Sequence, residues 1–314
     1  RGNWAQVGSS TVNPGDVIRT YEIRTGGFNG IPVQDAPSDL IDLTLQPLTV
    51  TTSEGGFEMQ FFNNRLGLDA TYYSRVTTND ILRPNISSTS GFTSGFINAG
   101  KITNKGVEVL LTGTPISKDN FSWNVSYNFA YNQSTIVELA PGLDFVEVGT
   151  SISNAVRIIN AVGLPYGTVR GWKLLKDEQG RQVYNSASGY EQRVEGDLGV
   201  ANPPYTMGLS NQFRYKDFSL GVLLDAKFGA VAFNNLWTYA MRFGLTKNTL
   251  PGRDNPEGLT VSGVDENGNP FTKTWPQDQL DTYYNNLGVM YSELQTFDTD
   301  FVKLRELVFN YNIP

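Results

Sequence analysis

The chain has 314 residues, of which 39% are hydrophobic and 12% aromatic, so it has enough apolar side chains for a large buried or membrane-facing surface. Its formal net charge is −7 and it has no basic cluster, which excludes a typical nucleic-acid-binding surface. It contains no cysteine and no histidine, which excludes disulfides, thiolate or imidazole metal ligands and histidine-based catalytic triads. No run of about 18 apolar residues predicts a transmembrane helix, but alternating barrel strands escape such a hydropathy test.

The first predicted hairpin turns at Asn63-Asn64-Arg65, where asparagines suit the positive φ angles of a tight turn. Apolar residues alternate with polar ones before this turn, at Phe57, Met59 and Phe61. The same alternation follows the turn, at Leu66, Leu68, Ala70 and Tyr72. A period of two residues indicates a pair of β-strands with one apolar face.

The second predicted hairpin turns at Ser117-Lys118-Asp119-Asn120, after a strand through Val107, Val109 and Leu111. Its second strand has a wholly apolar face: Phe121, Trp123, Val125, Tyr127, Phe129 and Tyr131. The residues between them are small or uncharged and polar: Ser122, Asn124, Ser126, Asn128, Ala130 and Asn132. This strand therefore predicts an apolar environment on one side and a wet one on the other.

The third predicted hairpin has only Lys216-Asp217 at its turn. The strand before it carries Tyr205, Met207, Leu209, Asn211, Phe213 and Tyr215 on one face. The strand after it carries Phe218, Leu220, Val222, Leu224, Ala226 and Phe228 on one face, with aromatic residues at both ends. Strands of about 10 residues, tilted by about 40–45°, match the thickness of the apolar band of an outer-membrane barrel.

Long connections alternate with these short turns, over residues 77–104, 133–204 and 229–300. Outer-membrane barrels place short turns at one end and long loops at the other, so we expect an all-β, antiparallel transmembrane β-barrel segment with short periplasmic turns and long extracellular loops. The alternative is a secreted carbohydrate-binding β-sandwich, in which the aromatic faces form the core. An amphipathic helix is arguable only over about Asn234 to Leu245.

Two acidic loops, Asp177-Glu178-Gln179-Gly180 and Asp265-Glu266-Asn267-Gly268-Asn269, resemble calcium-binding loops in composition. Neither has the bidentate glutamate at the twelfth position, since Ser188 and Pro276 stand there. We therefore interpret both loops as β-turns and expect no metal ion and no cofactor. No spacing singles out a pair of carboxylates for hydrolysis, so the chain is not expected to be an enzyme.

The longest connection, residues 229–300, combines aromatic rings with carboxylates and many amides. Its aromatic candidates for binding a substrate or a lid are Trp237, Tyr239, Trp275, Tyr283 and Tyr284, with Asp254, Asp278 and Asp281 nearby in sequence. Such rings stack on the C–H face of a sugar while polar groups bind its hydroxyls. The other interpretation is that the rings hold this long loop in shape or dock a partner.

Four stretches are similar to signatures of one family of transporters: Phe61–Tyr73, Asn98–Val109, Gly163–Gly167 and Asp300–Leu307. Together with the topology, they make the chain resemble the C-terminal barrel portion of a SusC/RagA-type TonB-linked outer-membrane transporter. The resemblance runs over nearly all of residues 1–314.

The resemblance implies a barrel of about 22 strands plugged by an N-terminal domain. This chain offers some eight to ten strands, so the plug and the last strands are expected to lie outside it. It also implies TonB-dependent import of a large nutrient, glycan or peptide, across the outer membrane of a Gram-negative bacterium. The implied partners are a SusD-type surface lipoprotein, the TonB complex and outer-membrane lipid. A siderophore-type receptor without a lipoprotein lid is a further alternative.

Overall fold

A computed structural model of the chain describes residues 1–9, 18, 20–41, 44–83, 86–98, 100–151 and 154–313. Its strands up to the third long connection are, in chain order, β1 (Gly2–Ser9), β2 (Glu22–Phe28), β3 (Ile31–Asp35), β4 (Asp39–Ile41), β5 (Leu48–Phe61), β6 (Leu66–Thr78), β7 (Ile81–Leu82), β8 (Ser94–Asn98), β9 (Lys101–Lys118), β10 (Phe121–Glu138), β11 (Phe145–Thr150), β12 (Val156–Ala161), β13 (Thr168–Leu174), β14 (Arg193–Val200), β15 (Tyr205–Tyr215) and β16 (Phe218–Phe228). The remaining strands are β17 (Val231–Phe233), β18 (Leu259–Val264), β19 (Pro270–Trp275), β20 (Thr296–Asp298) and β21 (Phe301–Tyr311).

Two α-helices lie in the last long connection, α1 (Asn235–Arg242) and α2 (Leu280–Met290). Short 3-10 turns occur at Ser88–Ser90, Lys247–Thr249, Gln277–Gln279 and Ser292–Gln295. Within the described ranges, no helix is long and apolar enough to cross a membrane.

Eight strands form the main sheet, in the order β1-β5-β6-β9-β10-β15-β16-β21. Every neighbouring pair is antiparallel and follows chain order among these eight. Short turns join β5 to β6, β9 to β10 and β15 to β16, while long connections join the other pairs. The predicted barrel segment, its three hairpins and its alternation of short and long connections are thus confirmed.

The register aligns the apolar faces of neighbouring strands. Tyr127 lies between Leu111 of β9 and Leu209 of β15. Leu209 in turn lies opposite Leu224 of β16, and Leu224 lies opposite Leu304 of β21. Because side chains alternate along a strand, this register gathers apolar side chains on one face of the whole sheet and polar ones on the other.

The apolar face stays exposed, which a sandwich core would not be. Met59 is 47% exposed, Leu304 57% and Phe309 65%. One buried hydrophobic cluster lies in the third long connection, around Trp275. The other joins Ile136, near the end of β10, to Leu139 and Val146 of the second long connection. The β-sandwich alternative is therefore wrong, because its aromatic faces would have to form the core.

The turn at Asn63 and Asn64 has four residues between its strands, whereas the other two hairpins have two each. Asn63 and Asn64 have φ angles of 54° and 65°, as predicted, and Phe62 joins them at 54°. Arg65 does not have a positive φ and instead begins the return of the chain. Its backbone N–H donates to Phe62 O at 3.3 Å, which closes the turn.

Two strands are longer than the sequence predicted. Strands β9 and β10 have 18 residues each, so the second long connection begins after Glu138 rather than at residue 133. Beyond Tyr131 the pair continues through Gln133, Ser134 and Thr135, which are polar on both faces. The predicted third connection, residues 229–300, matches the interval between β16 and β21.

Candidate functional site

The second and third long connections fold together at one end of the sheet. The four-stranded sheet β11-β12-β13-β14 comes from the second, and hairpin β18-β19 and both helices come from the third. Ser292 Oγ donates to Ala155 O, and the backbone N–H of Leu174 donates to Glu293 Oε2 at 2.9 Å. A bridge also joins Val183 to Val264. These bonds make one structured region, which we call the outer region, from residues 139–151, 154–204 and 229–300.

Three of the five predicted binding residues form a buried cluster in the outer region. Trp275, Tyr283 and Tyr284 are each 4% exposed and pack with Leu280. The Trp275 and Tyr283 ring centroids are 5.1 Å apart, and the Tyr284 hydroxyl donates to Pro251 O at 2.7 Å. Rings buried in this way stabilise the shape of the loop, and Tyr284 alone of the three also lines the cleft described below.

The helix α2 explains how these rings meet. Leu280, Tyr283, Tyr284 and Leu287 recur at the spacing of one helical face. This helix was not predicted, because its other positions hold asparagines and Gly288, which are weak helix formers.

The other two predicted residues lie on α1 and are more accessible. Asn234 caps this helix, because its side chain accepts from the backbone N–H of Trp237 at 3.1 Å. Trp237 is partly buried and meets Phe297 edge-on, with centroids 5.4 Å apart. Tyr239 is 43% exposed, and the Arg242 guanidinium lies 5.6 Å from its ring centroid. Of the predicted set, Tyr239 therefore presents the most open aromatic surface.

A buried carboxyl supports the aromatic cluster. Glu191 is 9% exposed, and its Oε1 accepts from the Tyr283 hydroxyl at 2.7 Å. The Tyr291 hydroxyl donates to the Glu191 backbone carbonyl. Burial raises the pKa of Glu191 above its usual value, and burial together with Glu191 raises the pKa of Tyr184 to about 12. These side chains stabilise the outer region and are not arranged to contact a ligand.

Both acidic loops are turns, as predicted. The Asp265 Oδ1 atom accepts from the backbone N–H groups of Asn267 and Asn269, both at 2.9 Å, at the end of hairpin β18-β19. Asp177 Oδ1 accepts from the backbone N–H groups of Gln179 and Arg181 in the same manner. Hydrogen bonds from Asn269 lower the pKa of Asp265, and the bond from the Asn269 side chain has the largest effect. Both carboxylates thus stabilise their turns by accepting backbone hydrogen bonds.

The outer region contains a cleft of about 1020 Å³ between the end of α1 and the length of α2. Its polar lining residues include Arg242, Arg253, Gln277, Asp281, Asn285 and Asn286. Its aromatic and aliphatic lining residues include Tyr190, Phe243, Leu280, Tyr284, Val289 and Met290. A concave site with a few convergent polar groups among apolar walls is the usual form of a ligand site.

Two arginines line this cleft. The Arg253 guanidinium donates to Gly244 O and, at 2.7 Å, to Thr249 Oγ1. Gly244 has a φ of 69°, which side chains rarely adopt, and a Cβ there would lie 2.2 Å from the Arg253 guanidinium and would displace it. Arg242 Nε is buried without a hydrogen-bond partner. Neither arginine has an ion-pair partner among the described residues, whereas Arg157, Arg170 and Arg181 of the outer region do and Arg193 does not.

Neither arginine was predicted, because the sequence pattern that pointed to binding consisted of aromatic rings beside carboxylates. Of the three carboxylates that it named, Asp281 alone appears among the residues lining the cleft. Arg242 ends α1, and Arg253 follows Gly252 in a loop, so only the folded chain brings them together. Both arginines line the cleft, and guanidinium groups are strong donors to carboxylate, sulfate or phosphate.

The family model described as TonB dependent receptor-like, beta-barrel matches residues 1–236. The chain belongs to this family. The continuous apolar face and the alternating short and long connections are the structural features expected of this family. The chain is a barrel portion of the SusC/RagA type. The family and its relatives are receptors and transporters, not enzymes.

Two curated relatives illustrate the similarity. TonB-dependent receptor P3 of Formosa agariphila is 23% identical over 345 residues, which covers 100% of this chain and 32% of that protein. TonB-dependent receptor SusC of Bacteroides thetaiotaomicron is 28% identical over 191 residues, which covers 56% of this chain and 19% of that protein. The chain thus spans about a third or less of the length of these relatives.

Solved structures show the same fold. The RagAB peptide transporter superposes with a TM-score of 0.70 at 18% identity, over 100% of this chain and 34% of that one. The RagAB peptide importer in its 'closed-closed' state gives a TM-score of 0.71 at 19% identity, over 99% of this chain and 34% of that one.

Proposed function

We propose that this chain is part of an outer-membrane transporter of a Gram-negative bacterium that imports a large nutrient, glycan or peptide, with energy from TonB. The observation that carries the proposal is the main sheet itself. Its apolar face is continuous over its strands, and its short turns all lie at one end. A sheet of that design fits a membrane barrel whose long connections reach outward. Contact with the TonB complex belongs to parts of the full protein outside these residues.

We further propose that a SusD-type lipoprotein covers the outer region as a lid. The apolar side chains exposed on and after α1 support this partner: Leu236 (77%), Phe243 (71%) and Leu245 (78%). Exposed apolar patches of this kind mark interaction surfaces. Co-purification of a lipoprotein with the tagged full-length protein tests the proposal, because the siderophore-type alternative predicts no such partner.

The cleft of the outer region is the proposed site of substrate capture. Its two guanidinium groups and its amides offer donors to an anionic or hydroxyl-rich ligand. Replacing Arg253 by Gln should lower substrate uptake roughly 10-fold, which is the effect of losing about 1.4 kcal/mol of binding. Arg181→Gln is the matched control, because Arg181 pairs with Asp177 in a turn outside the cleft. Equal uptake by the two variants would move substrate capture elsewhere.

A further inference from the structure

A second groove lies on the apolar face of the main sheet, next to the turn that joins β5 to β6. It has a volume of about 570 Å³. Its walls include Phe62, Leu66, Leu111, Pro115, Val125 and Tyr127, with Arg65 at the turn. This feature is separate from the outer region, since the short turns are at the other end of the strands.

Two features of the sequence create this groove. Gly113 lies between Leu66 of β6 and Val125 of β10, and it has no side chain to fill the space. The register of β9 against β10 then shifts, because Val125 pairs with Gly113 whereas Trp123 pairs with Ile116. Pro115 lies in the resulting bulge. The sheet loses no hydrogen bond there, although proline has no backbone N–H.

The groove is complete within this chain. It lies on β6, β9 and β10, which have β5 on one side and β15 on the other. The open edges of the sheet, at β1 and β21, are thus several strands away. Strands added at those edges in a closed barrel would not cover it.

Arg65 gives the groove a charge at its turn end. Its side chain is exposed, and its guanidinium has no ion-pair partner in the part of the chain that the structure describes. Its backbone carbonyl accepts from the Thr114 N–H at 2.8 Å, which ties the turn to the bulge. Phe62 beside it is 75% exposed. A cation and an aromatic ring at the end of an apolar strand face are typical of the interface between hydrocarbon and headgroups.

We propose that this groove binds one phospholipid, with an acyl chain along Leu66, Leu111 and Val125 and its phosphate on Arg65. The inference rests on the proposed membrane placement. Apolar walls match an acyl chain, while an unpaired guanidinium matches a phosphate. Because the groove lies at the short-turn end, its lipid belongs to the periplasmic leaflet, which consists of phospholipid.

Native mass spectrometry of the full-length protein, delipidated in detergent and titrated with phosphatidylglycerol, tests the proposal. Arg65→Gln removes the charge without touching the core of the sheet. Gly113→Leu fills the groove, since a Cβ there already lies 3.3 Å from Val125 Cγ1. Each substitution should weaken the tightest lipid-binding event roughly 10-fold or more.

Gly55→Leu is the matched control, because a Cβ at Gly55 meets nothing within 4 Å and its position shares the apolar face. It should leave lipid affinity unchanged. Equal affinity in wild type, Arg65→Gln and Gly113→Leu would overturn the groove assignment, and so would preferential binding of lipopolysaccharide at this site. A full-length protein that binds no lipid and stays monodisperse without detergent would instead overturn the proposed function.

Discussion

At the scale of single residues, burial decides what each aromatic side chain of the outer region does. Trp275 is almost fully buried against Tyr190 and Tyr283, whereas Tyr239 is 43% exposed. Trp275→Ala should therefore destabilise the outer region by about 3–5 kcal/mol, because it leaves a large cavity. Tyr239→Ala should change that stability by less than about 1 kcal/mol. Hydrogen exchange of the outer region measures the change in stability for both variants. Similar losses of protection in the two variants would show that Tyr239 also stabilises the outer region.

The buried carboxyl of Glu191 predicts a pH dependence. Because burial raises its pKa in the folded state, its contribution to stability is fully present below the pKa of the unfolded chain, near 4.5. That contribution is lost as pH rises through the folded-state pKa. Protection of the outer region, corrected for intrinsic exchange rates, should therefore fall from pH 4.5 to pH 8, and Glu191→Gln should flatten this fall.

Glu266 is the matched control for Glu191, because its shift has the opposite sign. A hydrogen bond from the Ser186 hydroxyl, at 2.6 Å, lowers the pKa of Glu266. Its contribution to stability is present at neutral pH and lost on acidification. Glu266→Gln should leave the decline toward pH 8 intact. An identical decline in wild type and Glu191→Gln would contradict the role given to Glu191.

At the scale of elements, the two faces of each strand should respond differently to charge. Leu209 lies between Tyr127 and Leu224 on the apolar face, while Ser210 lies next to Ser126 on the polar face. Leu209→Arg should cost roughly 2–4 kcal/mol if it lies near the bilayer midplane, and Ser210→Arg should cost less. Folding yield into lipid vesicles compares the two variants. A higher yield for Leu209→Arg would reverse the assignment of faces.

The strands were predictable where one face alone meets an apolar environment. Alternation located β5, β6, β15 and β16 and the turn at Lys216. It failed for the upper parts of β9 and β10, because residues such as Gln133 and Ser134 are polar on both faces and show no period. Those residues are held in the sheet mainly by backbone pairing, which produces no period in the sequence.

The candidate site was less predictable than the fold. Asn234 was recognised near the start of a helix, and the structure begins α1 at the next residue. The cleft depends on Gly244, which lets Arg253 approach the end of α1 in a way that no local pattern encodes. The helix α2 did carry a signal, since Leu280, Tyr283, Tyr284 and Leu287 have helical spacing. That spacing predicts a helix with one apolar face.

At the scale of the whole molecule, the main sheet is a portion of a larger wall. Among the described residues, β1 and β21 each pair with the main sheet on one side only. Unpaired edges do not persist in a membrane, because their backbone groups would lack hydrogen bonds. Closure of a barrel therefore needs further strands. This agrees with the comparisons, in which the whole chain aligns with only about a third of each relative.

The central claim is that the short turns face the periplasm and the outer region faces the cell exterior. The chain has no native cysteine, so single cysteines can report the topology. Asp217 and Asn267 are suitable positions, because both are exposed, whereas their neighbours Lys216 and Gly268 have positive φ angles that disfavour substitution.

The most direct measurement is labelling of Asp217→Cys and Asn267→Cys in the full-length protein on intact cells, with a maleimide that does not cross the outer membrane. We expect labelling of Asn267→Cys on intact cells, and labelling of Asp217→Cys only after the outer membrane is permeabilised. Labelling of Asp217→Cys but not of Asn267→Cys on intact cells would contradict the account.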